Sequence, residues 1–189
     1  MITFENSITE IGYSAFRDCS SLTSIIIPEG VTSIDNSAFH NCSKLVSVTI
    51  PKSVTSIGAS VFNNCKRLVS VTIPKGVTTI GNQAFYWCSS LIDINIPEGV
   101  TSIGMFAFEN CNFTSIILPE SVTYIGMHAF SNYIGLTSII CKAITPPSIS
   151  SDTFNYISKS IPIYVPAKSV NAYKTASYWK EFTNIQAIS

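Results

Sequence analysis

The chain has 189 residues, and 46% of them are apolar, a share that supports a continuous core and excludes a disordered chain. Eleven basic residues balance eleven acidic ones and only 12% of residues are charged, so we expect neither nucleic acid nor an anionic membrane surface as a partner. No run of roughly 18 apolar residues occurs, so we expect no membrane insertion, and the first residues lack the basic start and long apolar stretch of a secretory signal.

The most regular feature of the sequence is a repeat. A cysteine returns every 23 residues from position 19 to position 111, together with a phenylalanine that follows Ala or Val and with a proline. Self-similarity at a constant period predicts a solenoid, in which each coil buries its apolar face against its neighbours. The repeated residues are Cys19, Cys42, Cys65, Cys88 and Cys111, then Phe16, Phe39, Phe62, Phe85, Phe108 and Phe130, and Pro28, Pro51, Pro74, Pro97 and Pro119.

The second coil shows the pattern of its first half. Leu-x-x-Ile-x-Ile at residues 22–27 predicts a short strand whose two isoleucines share the core face by alternation. Pro-Glu-Gly at 28–30 predicts a turn, and Val-Thr-Ser-Ile at 31–34 predicts a second extended segment. Asp35 follows where the other coils have glycine. Both residue types tolerate a left-handed backbone, so we expect one at this position.

The segment that closes each coil carries a phenylalanine and, three residues later, the cysteine. In the second coil these are Phe39 and Cys42, and their spacing places both on one face of a short helical or 3-10 turn. Asn41 precedes the cysteine, and other coils have Asp or Asn at the same place, with Trp87 as the exception. Asp and Asn accept left-handed dihedral angles, so we expect such a residue to end each turn.

The later coils depart from this pattern. The fifth coil has lost one residue beside Asn112, just before its strand. Residues 143–166 still align as a degenerate last coil, because Phe154 and Pro166 keep the usual spacing from phenylalanine to turn proline. The sequence therefore predicts a solenoid of about seven 23-residue repeats at 1–166, with one parallel ladder of seven strands, about 30 Å long at roughly 4.8 Å per step.

The remaining residues, 167–189, are predicted to cover the open end of the solenoid as a C-terminal aromatic cap within the same structural domain. Ser169 is placed to cap a helix that carries Tyr173 and Trp179 on or near one face.

The motif Leu-x-x-Ile-x-Ile-Pro-x-x-Val-Thr-x-Ile-Gly-x-x-Ala-Phe-x-x-Cys resembles the BspA-type leucine-rich repeat over residues 8–142. The tail is similar to endings of that family at 145–147, 163–166 and 172–180. The resemblance implies a right-handed leucine-rich-repeat solenoid from a surface or secreted protein of host-associated anaerobic bacteria or parasitic protists. It also implies adhesion through binding of extracellular-matrix proteins, and contact between cells. The motif residues are structural, so the resemblance assigns no binding residue.

Six cysteines and two histidines raise the question of a metal site, a disulfide or an enzyme. Five cysteines lie in the repeated column and Cys141 replaces a strand isoleucine, so we interpret them as core residues, with a disulfide or an incidental metal site as the alternative. A column of single cysteines lacks the convergent ligand pairs that hold zinc. His40 and His128 are predicted to face solvent. No Ser-His-acid set or phosphate-binding loop occurs, so we expect no catalytic residue, no cofactor and no enzyme activity.

The strand residues that alternate with the core are predicted to face outward on a concave surface, which solenoids commonly use for binding. This face is rich in hydroxyl groups, nearly uncharged and flanked by isoleucine at both ends. Asp93 and Asn95 break the hydroxyl pattern, which makes them the first candidates for a partner contact. The alternative is that hydroxyl residues simply suit a soluble strand. The other candidates on this face are Thr49, Thr72 and Ile117.

A second candidate surface is aromatic. Tyr86 and Trp87 replace polar residues of earlier coils, Phe106 stands where serine or glutamine stands, and Tyr124 replaces a serine-type residue. Aromatic side chains at outward positions often mark contacts, so these four are predicted to cluster across the fourth to sixth coils. The alternative is that they cover the missing residue near Asn112 or contact another repeat or chain.

Three functions follow from these patterns. The first is a non-enzymatic protein-binding module of the adhesion type, at the cell surface or secreted, whose partner is a host extracellular-matrix or cell-surface protein bound over an extended face. The second is a carbohydrate-binding module in which the four aromatic residues stack on sugar rings. The third is a structural spacer within a larger surface protein.

Overall fold

The computed structural model describes residues 4 and 8–188. It shows a parallel β-solenoid whose coils repeat about every 23 residues, so the predicted fold class is confirmed. The predicted solenoid start at residue 1 and the predicted cap end at residue 189 lie outside the described residues. In chain order the strands are β1 (Glu10–Ile11), β2 (Ser24–Ile26), β3 (Ser33–Ile34), β4 (Ser47–Thr49), β5 (Ser56–Ile57), β6 (Ser70–Thr72), β7 (Thr79–Ile80), β8 (Asp93–Asn95), β9 (Ser102–Ile103), β10 (Ser115–Leu118), β11 (Tyr124–Ile125), β12 (Ser138–Cys141), β13 (Ile163–Val165) and β14 (Ile185–Ala187).

The first sheet contains β2, β4, β6 and β8, one strand from each of four consecutive coils. Each strand has three residues, and only the middle side chain points inward. These middle residues pair in register, Ile25 with Val48, Val48 with Val71, and Val71 with Ile94. Like residues therefore stack on like residues, which confirms the alternation predicted from the sequence.

The prediction of one ladder with seven strands is wrong. The first sheet ends at β8, and a second sheet of β10, β12, β13 and β14 begins in the next coil. The seam between the two sheets falls at the coil that lacks a residue beside Asn112, because a shortened approach cannot present the strand in the register of the coil before it. The last strand, β14, lies inside the segment predicted to be only a cap and pairs with β13.

A separate side sheet is built from the extended segment that follows each turn proline, in the order β1-β3-β5-β7-β9-β11. One isoleucine of each strand is buried, as at Ile57 and Ile80. This sheet passes the seam without a break, since β9 and β11 pair through Ser102 and Tyr124. The side sheet therefore joins the two halves of the solenoid.

The glycine after each side-sheet strand has a different role from the one predicted. Among the described residues the glycines with left-handed φ are Gly30 and Gly99, both in the turn after the proline, and Asp35 is not left-handed either. A Cβ atom added to Gly81 would lie 2.5 Å from the carbonyl oxygen of Gly58 in the preceding coil. Close approach of neighbouring coils, and not a left-handed backbone, is what requires glycine here.

The closing segments of the coils stack along one side of the molecule, here called the turn edge. They contain the predicted hydrogen bonds of 3-10 turns, for example from the Cys42 N–H to the Phe39 carbonyl at 3.2 Å. Left-handed residues such as Ser37 and Asn41, both with φ of 59°, prevent these turns from joining into a helix. Alternate N–H groups instead donate to the next coil, as Phe39 does to the Val61 carbonyl at 2.9 Å. The turn edge comprises residues 14–18, 37–41, 60–64, 83–87, 106–110, 128–132 and 152–156.

A stack of phenylalanine rings forms the part of the core that lies beneath the turn edge. Phe39, Phe62, Phe85 and Phe108 are fully buried, with neighbouring ring centroids 5.3–5.4 Å apart and ring planes within 19° of parallel. Burial of each ring stabilises the fold by roughly 1.5–3 kcal/mol. The repeated phenylalanine therefore forms a continuous apolar contact from coil to coil.

The tail closes the far end of this stack. It contains the α-helix α1 (Val170–Thr175) and two 3-10 turns, Ala167–Ser169 and Trp179–Glu181. Trp179 is fully buried, with its ring 5.5 Å from that of Phe154, and its indole N–H donates to the Pro147 carbonyl at 2.8 Å. Ser169 precedes α1 as predicted, but its buried hydroxyl makes no hydrogen bond to any described residue, so the predicted side-chain cap does not form.

Candidate functional site

The cysteine column holds the coils together. The Cys65 thiol donates to the Phe39 carbonyl at 3.2 Å, and the Cys88 thiol donates to the Phe62 carbonyl at 3.1 Å. Burial raises the pKa of Cys42 to about 12, so the buried thiol stays protonated and unreactive at neutral pH. Within the described residues, no three His, Cys, Asp or Glu side chains are placed to hold a metal ion. The column is structural, as we interpreted it.

Tyr133 takes the place of the cysteine in the sixth coil. Its hydroxyl donates to the Phe108 carbonyl at 2.6 Å, the same kind of acceptor that the thiols use in earlier coils. Its ring stacks on that of Phe113 at 5.6 Å, and Phe113 follows the missing residue directly. These two buried rings fill the shortened coil, so the four aromatic residues singled out in the sequence are not needed for that purpose.

The two histidines are half-buried at the turn edge, and not solvent-facing as predicted. The Nδ1 atoms of His40 and His128 are both buried and have no hydrogen-bond partner among the described residues. Burial lowers the pKa of His40 from its ordinary value, and the nearby Arg17 lowers it further against the opposing effect of Asp18. His40 is therefore neutral at physiological pH.

The strand-face candidates lie where the alternation along their own strands puts them. Thr49, Thr72, Asp93 and Asn95 are exposed on β4, β6 and β8, and Ile117 is 47% exposed on β10. Thr72 and Asn95 are direct neighbours across the sheet. Asp93 and Asn95 form the last strand before the seam, so their outward groups mark the end of the hydroxyl-rich surface.

The seam creates a notch of about 260 Å³ on this face. Asn95 lines one side of the notch and Ile117 lines the other, which brings together two candidates from separate sheets. Three charged side chains also line it, Lys75, Glu98 and Lys142. The sequence analysis missed these three residues, although the loss of one residue beside Asn112 was a signal that the ladder would be interrupted there.

The aromatic candidates form a partial cluster on the turn edge. The ring of Tyr86 lies 6.4 Å from that of Trp87 and 6.4 Å from that of Phe106, both in edge-to-face contact. Phe106 also stacks on His128 at 5.1 Å, a contact that the sequence did not predict. Tyr124 lies apart from this cluster, exposed on β11 of the side sheet.

The column before the cysteine forms a ladder of side-chain amides. The Asn41 amide donates to the Asp18 carboxylate at 2.8 Å, and the Asn64 amide donates to the Asn41 oxygen at 2.6 Å. Every described member of the column is left-handed, and Trp87 has φ of 56° and Tyr156 has φ of 60°. A left-handed backbone costs an ordinary side chain about 1–2 kcal/mol, whereas Asn and Asp adopt it readily. Trp87 and Tyr156 are therefore strained, whereas the Asn and Asp residues of the other coils are not.

Three shallow depressions run side by side along this column. The first, of about 360 Å³, is lined by His40, Asn64 and Lys66 and ends at Trp87. The second, of about 290 Å³, extends from Trp87 to Asn110 and Asn132. The third and largest, of about 520 Å³, continues from Asn110 and Asn132 to Tyr156. Neighbouring depressions share lining residues, so together they form one groove, the turn-edge groove, which lies along the side chains of residues 64, 87, 110, 132 and 156.

The repeat that builds these surfaces identifies the family. The BspA type leucine rich repeat region matches the chain in six copies, over residues 1–104 and 78–189. The chain belongs to this family. Its fold is that of leucine-rich-repeat proteins. No protein of curated function matches the chain.

Several solved structures share the fold of this BspA-type chain at low sequence identity. A leucine rich cell surface protein from Faecalibacterium prausnitzii matches with a TM-score of 0.60 at 22% identity, over 96% of this chain and 77% of that protein. The leucine rich repeat protein of T. pallidum matches with a TM-score of 0.66 at 23% identity, over 92% of this chain and 74% of that one. The pneumococcal vaccine antigen PcpA matches with a TM-score of 0.56 at 19% identity, over 96% of this chain but only 44% of PcpA.

The described part of this chain contains no helix that is long and apolar enough to cross a membrane. The longest described α-helix is α1, with six residues.

Proposed function

We propose that this chain is a non-enzymatic protein-binding module of the adhesion type, displayed at a cell surface. Its partner is a host extracellular-matrix or cell-surface protein, bound by the exposed face of the first sheet together with the notch. The notch is the observation that supports this surface most, because it joins the polar end of the sheet at Asn95 to an exposed apolar residue, Ile117.

The chemistry of this face suits a broad contact without a deep pocket. Hydroxyl groups recur on adjacent strands at about 4.8 Å, so a partner surface could accept many modest hydrogen bonds in parallel. Apolar side chains are exposed around them, with Ile26 at 71% and Ile92 at 55%. Mixed polar and apolar patches of this kind resemble the surface of a non-obligate interface.

The surface location rests on relatives. The matching protein from Faecalibacterium prausnitzii is described as a leucine rich cell surface protein. The family resemblance drawn from the sequence implies matrix-protein adhesion, and the near-neutral charge of the chain leaves nucleic acid without an electrostatic attraction.

The test is binding of the full chain to immobilised matrix proteins, with fibronectin, laminin, fibrinogen and collagen as the probes. The double variant Asp93→Ala/Asn95→Ala should weaken binding by about tenfold, because it truncates polar side chains where the sheet face meets the notch, and the partner contacts both. The matched control is Glu29→Ala/Asn171→Ala, which removes one exposed carboxylate and one exposed amide elsewhere. Equal binding by both double variants would exclude the strand face, and binding to none of the probes would favour the spacer function.

A further inference from the structure

The turn-edge groove has a chemical character that the strand face lacks. Two aromatic residues, Trp87 and Tyr156, interrupt the column of amides and are separated by three coil steps, about 14 Å at roughly 4.8 Å per coil. Trp87 is 42% exposed and Tyr156 is 76% exposed, so both rings are accessible. Between them lie the amides of Asn110 and Asn132.

The interruption at Trp87 leaves amide groups without their usual partners. Asn41 uses both ends of its amide, since it donates to Asp18 and accepts from Asn64. The next coil has an indole in place of the amide that would continue this ladder to Asn64. The Asn110 side chain makes no hydrogen bond to any other described residue. Free donors and acceptors therefore flank the indole on both sides within the groove.

We propose that the turn-edge groove binds a neutral oligosaccharide. The indole of Trp87 and the phenol of Tyr156 stack on the apolar faces of two sugar rings, and the amides of Asn110 and Asn132 hydrogen-bond to the hydroxyl groups of the sugars between them. Aromatic faces offer large rigid contact area, and side-chain amides both donate and accept, as sugar hydroxyls require.

Charge in the groove favours a neutral ligand. Among the described residues that line the groove, Lys66 is the one lysine or arginine, and its ammonium lies 5.9 Å from the centre of the Trp87 ring. Lys66 and Asn64 line the same depression beside Trp87. We therefore place the sugar in the adjoining depression, which is lined by Trp87 and Asn110. The acidic residue Glu109, which precedes Asn110, is buried and already accepts a hydrogen bond from the Asn132 amide at 2.7 Å.

The backbone strain at Trp87 and Tyr156 also supports a ligand-binding role for the groove. Asn adopts a left-handed backbone more readily than an aromatic residue does. Trp87 and Tyr156 nevertheless occupy this column with left-handed backbones. Strained residues cluster at ligand sites, where their geometry serves binding. Phe113 and Tyr133 already fill the shortened coil, so filling that coil does not account for Trp87.

The test uses Trp87→Asn and Tyr156→Asn, which place the residue of the regular column at each position and so preserve the fold. The probes are soluble neutral hexasaccharides of glucose in α and β linkage, of β-linked mannose, of β-linked xylose and of β-linked N-acetylglucosamine. The chain has two tryptophans, and Trp179 is fully buried, so binding should change the fluorescence that arises from Trp87. Calorimetry of the same titrations measures the affinity of the variants.

We expect at least one probe to bind, and each variant to weaken that binding by about tenfold or more, as loss of an aromatic anchor does. The control Tyr124→Thr removes an aromatic residue of similar exposure outside the groove and should leave binding unchanged. The proposal is overturned if no probe binds, if Trp87→Asn binds as well as the original chain, or if Tyr124→Thr weakens binding equally. Loss of matrix-protein binding in Trp87→Asn, without any glycan binding, would instead make the groove a protein contact. The variant Asp93→Ala/Asn95→Ala should not affect the glycan, so this result is separable from that for the strand face.

Discussion

In the four coils of the first sheet, equivalent positions carry nearly the same side chains, whereas beyond the seam several columns change identity. Before the seam each coil contacts the next through a phenylalanine ring, a thiol and paired backbone groups. After it, Tyr133 replaces the thiol and the tail supplies Trp179 at the end of the ring stack.

The comparison shows that the solenoid depends on contacts and not on identical residues. A tyrosine hydroxyl and a cysteine thiol both satisfy the phenylalanine carbonyl of the preceding coil. The side sheet is the element that both halves share, and it passes the seam without a break. Trp87 replaces an amide of its column without continuing the hydrogen-bonded ladder, so contact between coils does not explain this replacement.

The largest expected effect comes from removing a ring in the middle of the stack. Phe85→Ala should lower the free energy of unfolding by about 3–5 kcal/mol, because it leaves a cavity between two fully buried rings. Phe16→Ala, at the half-buried first end of the stack, should cost roughly half as much or less. Urea unfolding followed by circular dichroism measures both. Equal losses would show that the rings do not form one continuous core.

A glycine substitution tests how closely the coils approach. Gly81→Ala should lower the free energy of unfolding by roughly 2 kcal/mol, because the added Cβ would meet a backbone oxygen at 2.5 Å. Gly12→Ala alters the same column in the first coil, where no described atom lies within 4 Å, and should change stability by less than about 0.5 kcal/mol. If both variants lose the same stability, close approach is not the reason for glycine in this column.

The buried thiols predict a loss of stability at alkaline pH. Burial raises the pKa of Cys42 from the ordinary 9.0 to about 12 in the folded chain, so between these values the unfolded thiol ionises while the folded one keeps its proton. Its contribution to stability is therefore complete below pH 9 and is lost as the pH rises toward 12. Unfolding midpoints measured across this range should fall, and Cys42→Ala should reduce the slope. A slope that Cys42→Ala leaves unchanged would mean that this thiol is not buried.

A smaller effect on stability is expected at Tyr133, which takes the place of the cysteine in the sixth coil. Tyr133→Phe should lower the free energy of unfolding by about 1 kcal/mol, since it removes one buried hydrogen bond to the Phe108 carbonyl and keeps the ring. Tyr13→Phe, at a side chain that is 68% exposed, should have no measurable effect. A loss of stability at Tyr13 that matches the loss at Tyr133 would contradict the hydrogen-bond account.

The repeat was sufficient to predict most of the fold. Period and alternation place Phe39, Phe62 and Phe85 in the core and Thr49 on the surface, since both follow from short-range geometry. The seam, the strand β14 and the close approach at Gly81 were missed, because each depends on how one coil meets another. The same limit applied to the groove. The sequence identified Trp87, but Asn110, Asn132 and Tyr156 line the same groove only because neighbouring coils stack in space.

The most direct test of in-register stacking is a double-mutant cycle between positions 64 and 87. If the columns are in register, Trp87→Asn relieves a strained aromatic residue and completes the amide ladder with Asn64, so the free energy of unfolding should rise by about 1 kcal/mol. Asn64→Ala should then cost about 0.5 kcal/mol more in the Trp87→Asn background than in the original chain. A lower stability of Trp87→Asn, with no coupling between the two positions, would contradict the stacking on which both proposed binding surfaces depend.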